Sequence, residues 1–446
     1  MPQQPYRTKL AGWGRYPVVE GLEWKSEQLA AISKNATLSR GLGRSYGDSS
    51  LPAGADCPVV TTTLADRLLS FDPVSGRLRA EAGATLFQLN RVFLRQGWFV
   101  PVSPGTQFVT LGGMIASDVH GKNHHVDGCF GEHVSSIQLR VADGRIVDCS
   151  ETSEPDLFRA TIGGMGLTGH ILEAEITMRR IPSPWIWGES ERIDNLNAMV
   201  AGLKEAAQHW PMTVGWVDCL ARGAKLGRGI LMKGRWAEPE EAPQTPPPTK
   251  HRFRIPFVWP NFVLCRPSIK AFNLAYYWKH VQRIQRGILH PDAFLYPLDA
   301  LDDWNLMYGR RGFTQYQCVL PHAEDNGPAR RFLERFISGG GMAFLCVIKD
   351  CGAEGKGMLS FPRPGMSIAI EFPVHPARTP ALVDRLNEVV LAEGGRIYLT
   401  KDAFTRPEHF RAMEPRLDAF NAVRRQWDPQ VRIRSAQSVR LLGDPA

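Results

Sequence analysis

Three glycine-rich clusters, and a few polar residues beside them, carry the chemical content of this 446-residue sequence. The first is Gly41-Leu42-Gly43-Arg44-Ser45-Tyr46-Gly47-Asp48. Closely spaced glycines turn successive backbone N–H groups toward one point and can cradle a pyrophosphate. Its third glycine falls one position late for G-x-G-x-x-G, and Ser49-Ser50-Leu51-Pro52 follows instead of an amphipathic helix, so a Rossmann reading is weak. The second cluster is Pro104-Gly105-Thr106 followed by TLGGMIASDVHGKNHH from Thr110 to His125. Its small residues let a planar ligand reach the backbone, with His120, Lys122 and Asn123 as polar groups just past it. The third is Gly163-Gly164-Met165-Gly166-Leu167-Thr168-Gly169. One such cluster alone reads best as a surface turn. Three of them, separated by strands, favour a cofactor bed. Taken alone, His120 is as much a satisfied loop histidine as a site residue, and Lys401 is a solvated lysine.

The strings G-L-G-R-S-Y-G-D, P-G-T-x-x-V-T-L-G-G-x-I-A-x-D-x-H-G-K-N-H-H and G-G-x-G-L-T-G resemble the FAD domain of the vanillyl-alcohol-oxidase-type flavoproteins. Within that superfamily the chain is most similar to the decaprenylphosphoryl-ribose 2-oxidase branch. The similarity continues through Tyr296-Pro297-Leu298-Asp299, Gln315-Tyr316-Gln317, Leu359 to Pro362, Gly395 to Tyr398 and Thr400-Lys401-Asp402, and so covers nearly the whole chain. It implies an α+β fold: a two-part FAD-binding domain and a substrate domain with an antiparallel sheet and helices. The implied boundaries are 1–180 for the first part, 181–394 for the substrate domain and 395–446 for a segment returning to the FAD domain.

The resemblance also implies roles. The loop Gly41, Leu42, Gly43, Arg44, Ser45, Tyr46 and Gly47 would wrap the FAD pyrophosphate. Trp13, Pro104, Gly105, Thr106, Thr110, Gly112, Gly113, Ala116, Ser117, Asp118, Gly121, Asn123, Gly166 and Ile171 would line the rest of the bed. Tyr46 stands where other members carry a histidine bonded to the flavin, which implies noncovalent FAD. His120 and Lys401 are the implied catalytic pair, with Tyr46, Lys122, Gln315, Gln317 and Lys349 around the substrate. Oxidising a secondary alcohol needs a base for the hydroxyl proton and positive charge near the developing alkoxide, and a desolvated lysine can serve either need. The implied reaction converts the 2-hydroxyl of a polyprenyl-phosphate-linked pentose to a ketone. An NAD(P)H-dependent short-chain reductase would then complete a 2-epimerisation to an arabinose donor for cell-wall synthesis. A soluble aldonolactone or sugar oxidase is the alternative. The chain departs from the branch at Ala369 (a cysteine there), Ser367 (an asparagine) and Leu295 (a tyrosine), which bears on the pocket wall and not on flavin chemistry.

The elements that must position these residues follow from periodicity. Strands are expected at Val59–Thr63, Leu78–Glu81 and His170–Met178, with a hairpin from Ile137–Val141 through Asp143-Gly144 into Arg145–Val147. A helix from about Thr85 to Gln96 would set Leu86, Leu89, Val92 and Phe93 on one face. Helices are also expected at Thr379–Glu393, ending at Gly394-Gly395, and at Pro407–Met413 and Arg416–Trp427. A strand Arg396–Thr400 would deliver Lys401. Glu238 to Thr249 is a Pro-rich linker opening an insertion at about 238–290, and residues 268–288 read as one amphipathic helix carrying Ile269, Phe272, Tyr277, Val281, Ile284 and Ile288.

Composition bounds the function class. Hydrophobic residues at 43% and charged ones at 22% fit a folded chain and exclude disorder as the main state. No apolar run reaches the roughly 18 residues of a membrane span, and the polar N-terminus does not read as a secretory signal. Eight cysteines without C-x-x-C pairs argue against a zinc site or disulfide scaffold and fit a reducing cytoplasm. The net charge of +8 is matched by one stretch, Ala242–Pro291, which has eight Lys/Arg and no acid. With Phe253, Phe257, Trp259 and Phe262, this stretch suggests peripheral contact with an anionic membrane at its inner face, and not nucleic acid.

Overall fold

The computed structural model describes residues 4–446. Three sheets carry the site. In the first, Tyr6–Ala11 pairs antiparallel with Val18–Lys25, which runs parallel to Pro58–Thr61, itself parallel to Leu38–Arg40. The second is antiparallel, in the order Leu68–Phe71, Arg77–Glu81, His170–Thr177, Val134–Arg140, Ile146–Ser150. The hairpin expected at Asp143-Gly144 closes it, with Gly144 at φ 92°. The helix Leu111–Ala116 starts where the Thr110 hydroxyl accepts from the Gly113 amide at 3.3 Å, and its Leu111, Met114 and Ile115 enter the core over this sheet.

The third sheet has eight antiparallel strands, from the edge Ile284–Leu289 through Ile186–Ile193, Gly229–Trp236, Met212–Val217, Cys346–Cys351, Gly365–Pro373 and Phe313–Leu320 to Arg396–Ile397. Side chains alternate across it with period two. Tyr316, Cys318, Ile348, Ile368 and Ile370 turn to one side. There the helices Leu196–His209, Gly327–Ser338 and Thr379–Ala392 bury Met199, Leu203, Phe332, Phe336, Leu382 and Leu386 against them. The residues between them, Gln315, Gln317, Lys349, Ser367, Ala369 and Glu371, take the opposite side. Cross-strand pairing sets Gln315 beside Glu371, Gln317 beside Ala369 and Lys349 beside Ser367.

The C-terminal residues return to the first part of the chain. Arg440 donates to Asp48 at 2.7 and 2.8 Å and to Asp402 at 2.8 Å, so one guanidinium ties the first glycine loop to the turn carrying Lys401. Gln437 donates to the Leu399 carbonyl at 2.8 Å in the same turn.

Three sequence expectations are corrected. Residues 268–288 are not one helix: Arg266–Trp278 is helical and Ile284–Leu289 is the edge strand. Gly287 pairs with Gly188 in that edge, and Arg286 meets Glu189 at 2.5 Å, so sheet pairing outweighs the helical spacing. Arg396–Thr400 is a strand only to Ile397, and Leu399–Lys401 forms a 3-10 turn after the Tyr398 amide bonds Gln317. Val92 is 41% exposed, off the face formed by Leu86, Leu89 and Phe93.

Removing one partner of a mostly buried ion pair costs about 3–5 kcal/mol, because the remaining charges lose their compensation. Arg440→Met leaves two carboxylates facing each other and is expected to lose stability of that order in a urea titration. A loss below about 1 kcal/mol would show that the tether is dispensable.

Candidate active site

The first glycine loop is fastened at both ends. The Trp13 amide donates to the Ser45 carbonyl at 2.7 Å and the Tyr46 amide to Thr400 at 2.9 Å. Between them the amides of Leu42, Gly43, Arg44 and Ser45 donate to no acceptor among the described residues, and Gly43 takes φ 65°, a conformation open to glycine. A Cβ at Gly47 would collide with the Asp402 carbonyl, so the loop lies flat on the turn carrying Lys401. The Arg44 guanidinium sits 3.9 Å from the Trp13 ring centroid, and its buried Nε has no partner. Four free amides and a partly unsatisfied arginine fit a pyrophosphate.

The second cluster lines the same region less uniformly. The Gln107 amide donates to Asp299 at 2.8 Å, shaping the Pro104-Gly105-Thr106 turn, and Gly105 faces open space. The Ser117 carbonyl accepts from the Tyr398 hydroxyl at 2.8 Å. Asp118 is committed within the protein: it accepts from the Gly131 amide at 2.8 Å and from Ser360, and burial pushes its carboxyl up to about 6. Asn123 donates to Pro101 at 2.7 Å and Asp127 at 2.6 Å, holding the turn that contains Gly121. In the third cluster the amides of Gly163 and Met165 bond Ile115 and Ala116, while Gly166 faces open space and Ile171 is buried in its strand. His124 accepts from the Gly352 amide at 3.1 Å, and His125 contacts the Trp210 carbonyl at 2.8 Å, so both anchor the loop.

Opposite this bed, the polar row of the eight-stranded sheet meets the residues expected to act. His120 Nε2 lies 3.0 Å from Gln317 Nε2, and His120 Nδ1 lies 3.0 Å from Lys349 Nζ. Gln317 also donates to Ser367 at 3.1 Å. With Gln317 donating to Nε2, the ring proton sits on Nδ1 and Lys349 accepts it as a neutral amine. Burial, then the Lys349 charge while that lysine is protonated, holds His120 well below its usual range, and burial brings Lys349 down to about 8, where its amine form becomes available. Lys122 is part-buried, donates to the Leu295 carbonyl at 2.8 Å and is brought down to about 7 by desolvation. Lys401 lies 4.0 Å from the Tyr46 ring centroid, and its Nζ has no hydrogen-bond partner among the described residues.

Two residues near this row escape the sequence reading. Glu371 is fully buried and accepts from Tyr46 at 2.8 Å, Tyr308 at 3.1 Å and Gln315 at 2.7 Å. Its signal was present: Ser367, Ala369 and Glu371 alternate along one strand, and a carboxylate on so apolar a strand needs a partner. Tyr308 sits in a segment without period, stacked on Phe313 at 4.1 Å. The arrangement can take a proton from a hydroxyl at His120 Nε2 and pass the Nδ1 proton to Lys349. It also places buried positive charge beside the reacting atoms.

The chain is similar to known proteins over much of its length. Residues 26–150 match the family described as FAD binding domain. A decaprenylphosphoryl-beta-D-ribose oxidase of Mycolicibacterium smegmatis is 33% identical over 98% of this chain and 98% of its own length. An uncharacterized Streptomyces coelicolor protein is 34% identical, covering 77% of this chain and 96% of its own. A putative D-arabinono-1,4-lactone oxidase of Neurospora crassa is 27% identical over 40% of this chain and 34% of its own.

A relay ending on neutral Lys349 requires its amine form, so the rate of flavin reduction is expected to rise with pH through about 8. Lys349→Met should remove that rise and slow reduction by about 100-fold, the usual reach of general-base catalysis. Stopped-flow measurement across pH checks this, and a variant keeping the wild-type profile would remove Lys349 from the relay.

Proposed function

Because the chain belongs to the decaprenylphosphoryl-ribose oxidase family and is an FAD-dependent oxidoreductase, we propose that it oxidises the 2-hydroxyl of a polyprenyl-phosphate-linked ribose to the 2-keto sugar. The observation that carries this reading is the His120–Lys349–Gln317 cluster facing the glycine bed, with the part-buried Lys401 and Lys122 near it. FAD, when bound, supplies the hydride acceptor. The loop Gly41–Gly47 holds its pyrophosphate, and Tyr46, whose hydroxyl is engaged by Glu371, offers no covalent link, so the cofactor is held noncovalently. His120 Nε2 exchanges the Gln317 contact for the sugar hydroxyl and takes its proton, while Nδ1 passes its own to Lys349. Lys401 supplies positive charge at the opposite side, and Lys122 favours an anionic substrate group over a neutral one.

The pocket departures fit the same substrate class. Ser367 keeps a hydrogen bond to Gln317, and the Leu295 backbone, not its side chain, holds Lys122. Ala369, directly beside Gln317 and Val347, keeps that part of the wall small. The keto sugar is a substrate for an NAD(P)H-dependent short-chain reductase acting from the other face, which completes the 2-epimerisation.

A lipid-linked substrate also calls for a membrane contact. No helix among the described residues is long and apolar enough to cross a membrane. The basic insertion is less free than its sequence indicates. Arg252 and Arg254 meet Asp302 and Asp303 at 3.1 Å, and Arg283 and Arg286 meet acids of the Ile186–Ile193 strand and its end. Lys250, Arg266, Lys270 and Lys279 have no acid within 4.0 Å among the described residues. Beside them Phe253, Phe262 and Trp278 are 73%, 78% and 53% exposed. Four cations at up to about 1 kcal/mol each, with aromatic insertion, support peripheral binding at the inner face of a membrane.

The test is anaerobic bleaching of the flavin by a panel of polyprenyl-phosphate sugars and free aldonolactones, the former offered in anionic vesicles. Bleaching by the ribose lipid and not by lactones is expected, with yellow colour released to the supernatant on acid precipitation. Bleaching by lactones alone would favour the soluble sugar oxidase. Flavin retained in the pellet would refute noncovalent binding. Sedimentation with the vesicles should fall when Lys250, Arg266, Lys270 and Lys279 are changed to Gln, and unchanged sedimentation would assign the segment to a solvated face.

A further inference from the structure

Lys401 poses a problem that the reaction alone does not solve. Lys401 is part-buried, and its ammonium makes no hydrogen bond and has no carboxylate within 4.0 Å among the described residues. A charge without a partner in a partly desolvated position is costly and releases its proton more readily unless something nearby compensates it. Nζ lies 4.0 Å from the centroid of the Tyr46 ring. The hydroxyl of the same ring donates to Glu371 at 2.8 Å.

We propose that Glu371 is a positioning residue for Lys401, acting through Tyr46 to keep the lysine charged and directed at the reacting atoms. The inference rests on the role given to Lys401 in the proposed function. Its support is geometric. The carboxylate accepts three hydrogen bonds, from Tyr46, Tyr308 and Gln315, and the Glu371 amide donates to Leu345 at 3.1 Å, so neither its backbone nor its side chain is free to swing. Phe313 stacks on Tyr308 at 4.1 Å and meets the Tyr46 ring edge-on at 5.4 Å, wedging both phenols in place. A phenol that donates to a carboxylate becomes richer in electron density, and its ring face attracts a cation more strongly.

The electrostatics run the same way. Burial pulls Lys401 down, Glu371 opposes that shift, and Lys349 adds to it. Burial likewise pushes Glu371 up, against Tyr46, Lys401, Tyr308 and Gln315. Asp402, next to Lys401, is not the counter-charge, because it is spent on Arg440 and the Thr405 amide. Arg44 and Asp299 reach the pair only through Tyr46, with opposite signs.

The protonation of Lys401 can be read without turnover, from pH-dependent changes in the flavin absorbance of the substrate-free holoenzyme. The wild type is expected to show an inflexion that Lys401→Met abolishes. Glu371→Gln keeps the shape and loses the charge, so the inflexion should move to lower pH by about one unit or more. Tyr308→Phe, which removes one donor from the carboxylate, should move it the same way by less, and Glu371→Asp should restore part of it. An inflexion lost in Lys401→Met but unmoved in both Glu371→Gln and Tyr308→Phe overturns the inference and leaves the proposed function standing. An inflexion absent from the wild type, or surviving in Lys401→Met, removes Lys401 from the flavin's side and overturns both.

Discussion

Burial of positive charge at the meeting of two surfaces governs this molecule. Lys122, Lys349 and Lys401 are enclosed together with His120, and Glu371 is the buried carboxylate set among them. Desolvation works against every one of these charges, so the lysines hold their protons loosely while Glu371 holds one more readily. His120 stays neutral, Lys349 can act as an amine, and any anionic occupant is favoured. The proposed proton transfer and the proposed preference for a phosphate-bearing ligand thus share one physical origin.

The architecture keeps that surface dry. In the eight-stranded sheet one face is greased by Phe332, Phe336, Leu382 and Leu386, and the strand period of two delivers every alternate side chain to the other face. The glycine bed then closes over those polar side chains from the other part of the chain. Arg440 draws the bed and the Lys401 turn together, so a segment far along the chain sets the distance between Tyr46 and Lys401.

Much of this was legible in the sequence where local rules suffice. The glycine clusters, the Asp143-Gly144 hairpin and the helix ending at Gly394 follow from backbone preferences that need no partner. The candidate residues His120, Gln317 and Lys349 do converge, across 229 positions in the case of His120 and Lys349. What stayed hidden depends on contacts distant in sequence. The spacing of Val281, Ile284 and Ile288 suits a helix until Gly188 and Glu189 offer an edge to pair with. The acid-free stretch looked unpaired because Glu189, Glu191, Asp302 and Asp303 lie outside it. Asp118 matched the cofactor motif, yet its carboxylate serves Gly131 and Ser360. Glu371 has no motif of its own, and only the register of its strand with Gln315 shows what it faces.

The central claim is that buried lysine charge in the site is balanced by negative charge on its occupants. Each lysine has a folded pKa below its unfolded value, so the unfolded chain binds more protons and stability rises with pH from about 7 toward 10. Each can contribute up to about 1.4 kcal/mol per pH unit. The direct measurement is anaerobic urea unfolding of the FAD-loaded protein between pH 7 and 9, in the oxidised state and after chemical reduction. Reduction adds negative charge to the flavin, so it should stabilise the protein most at pH 7 and flatten the rise. A slope that is the same in both redox states would contradict the account.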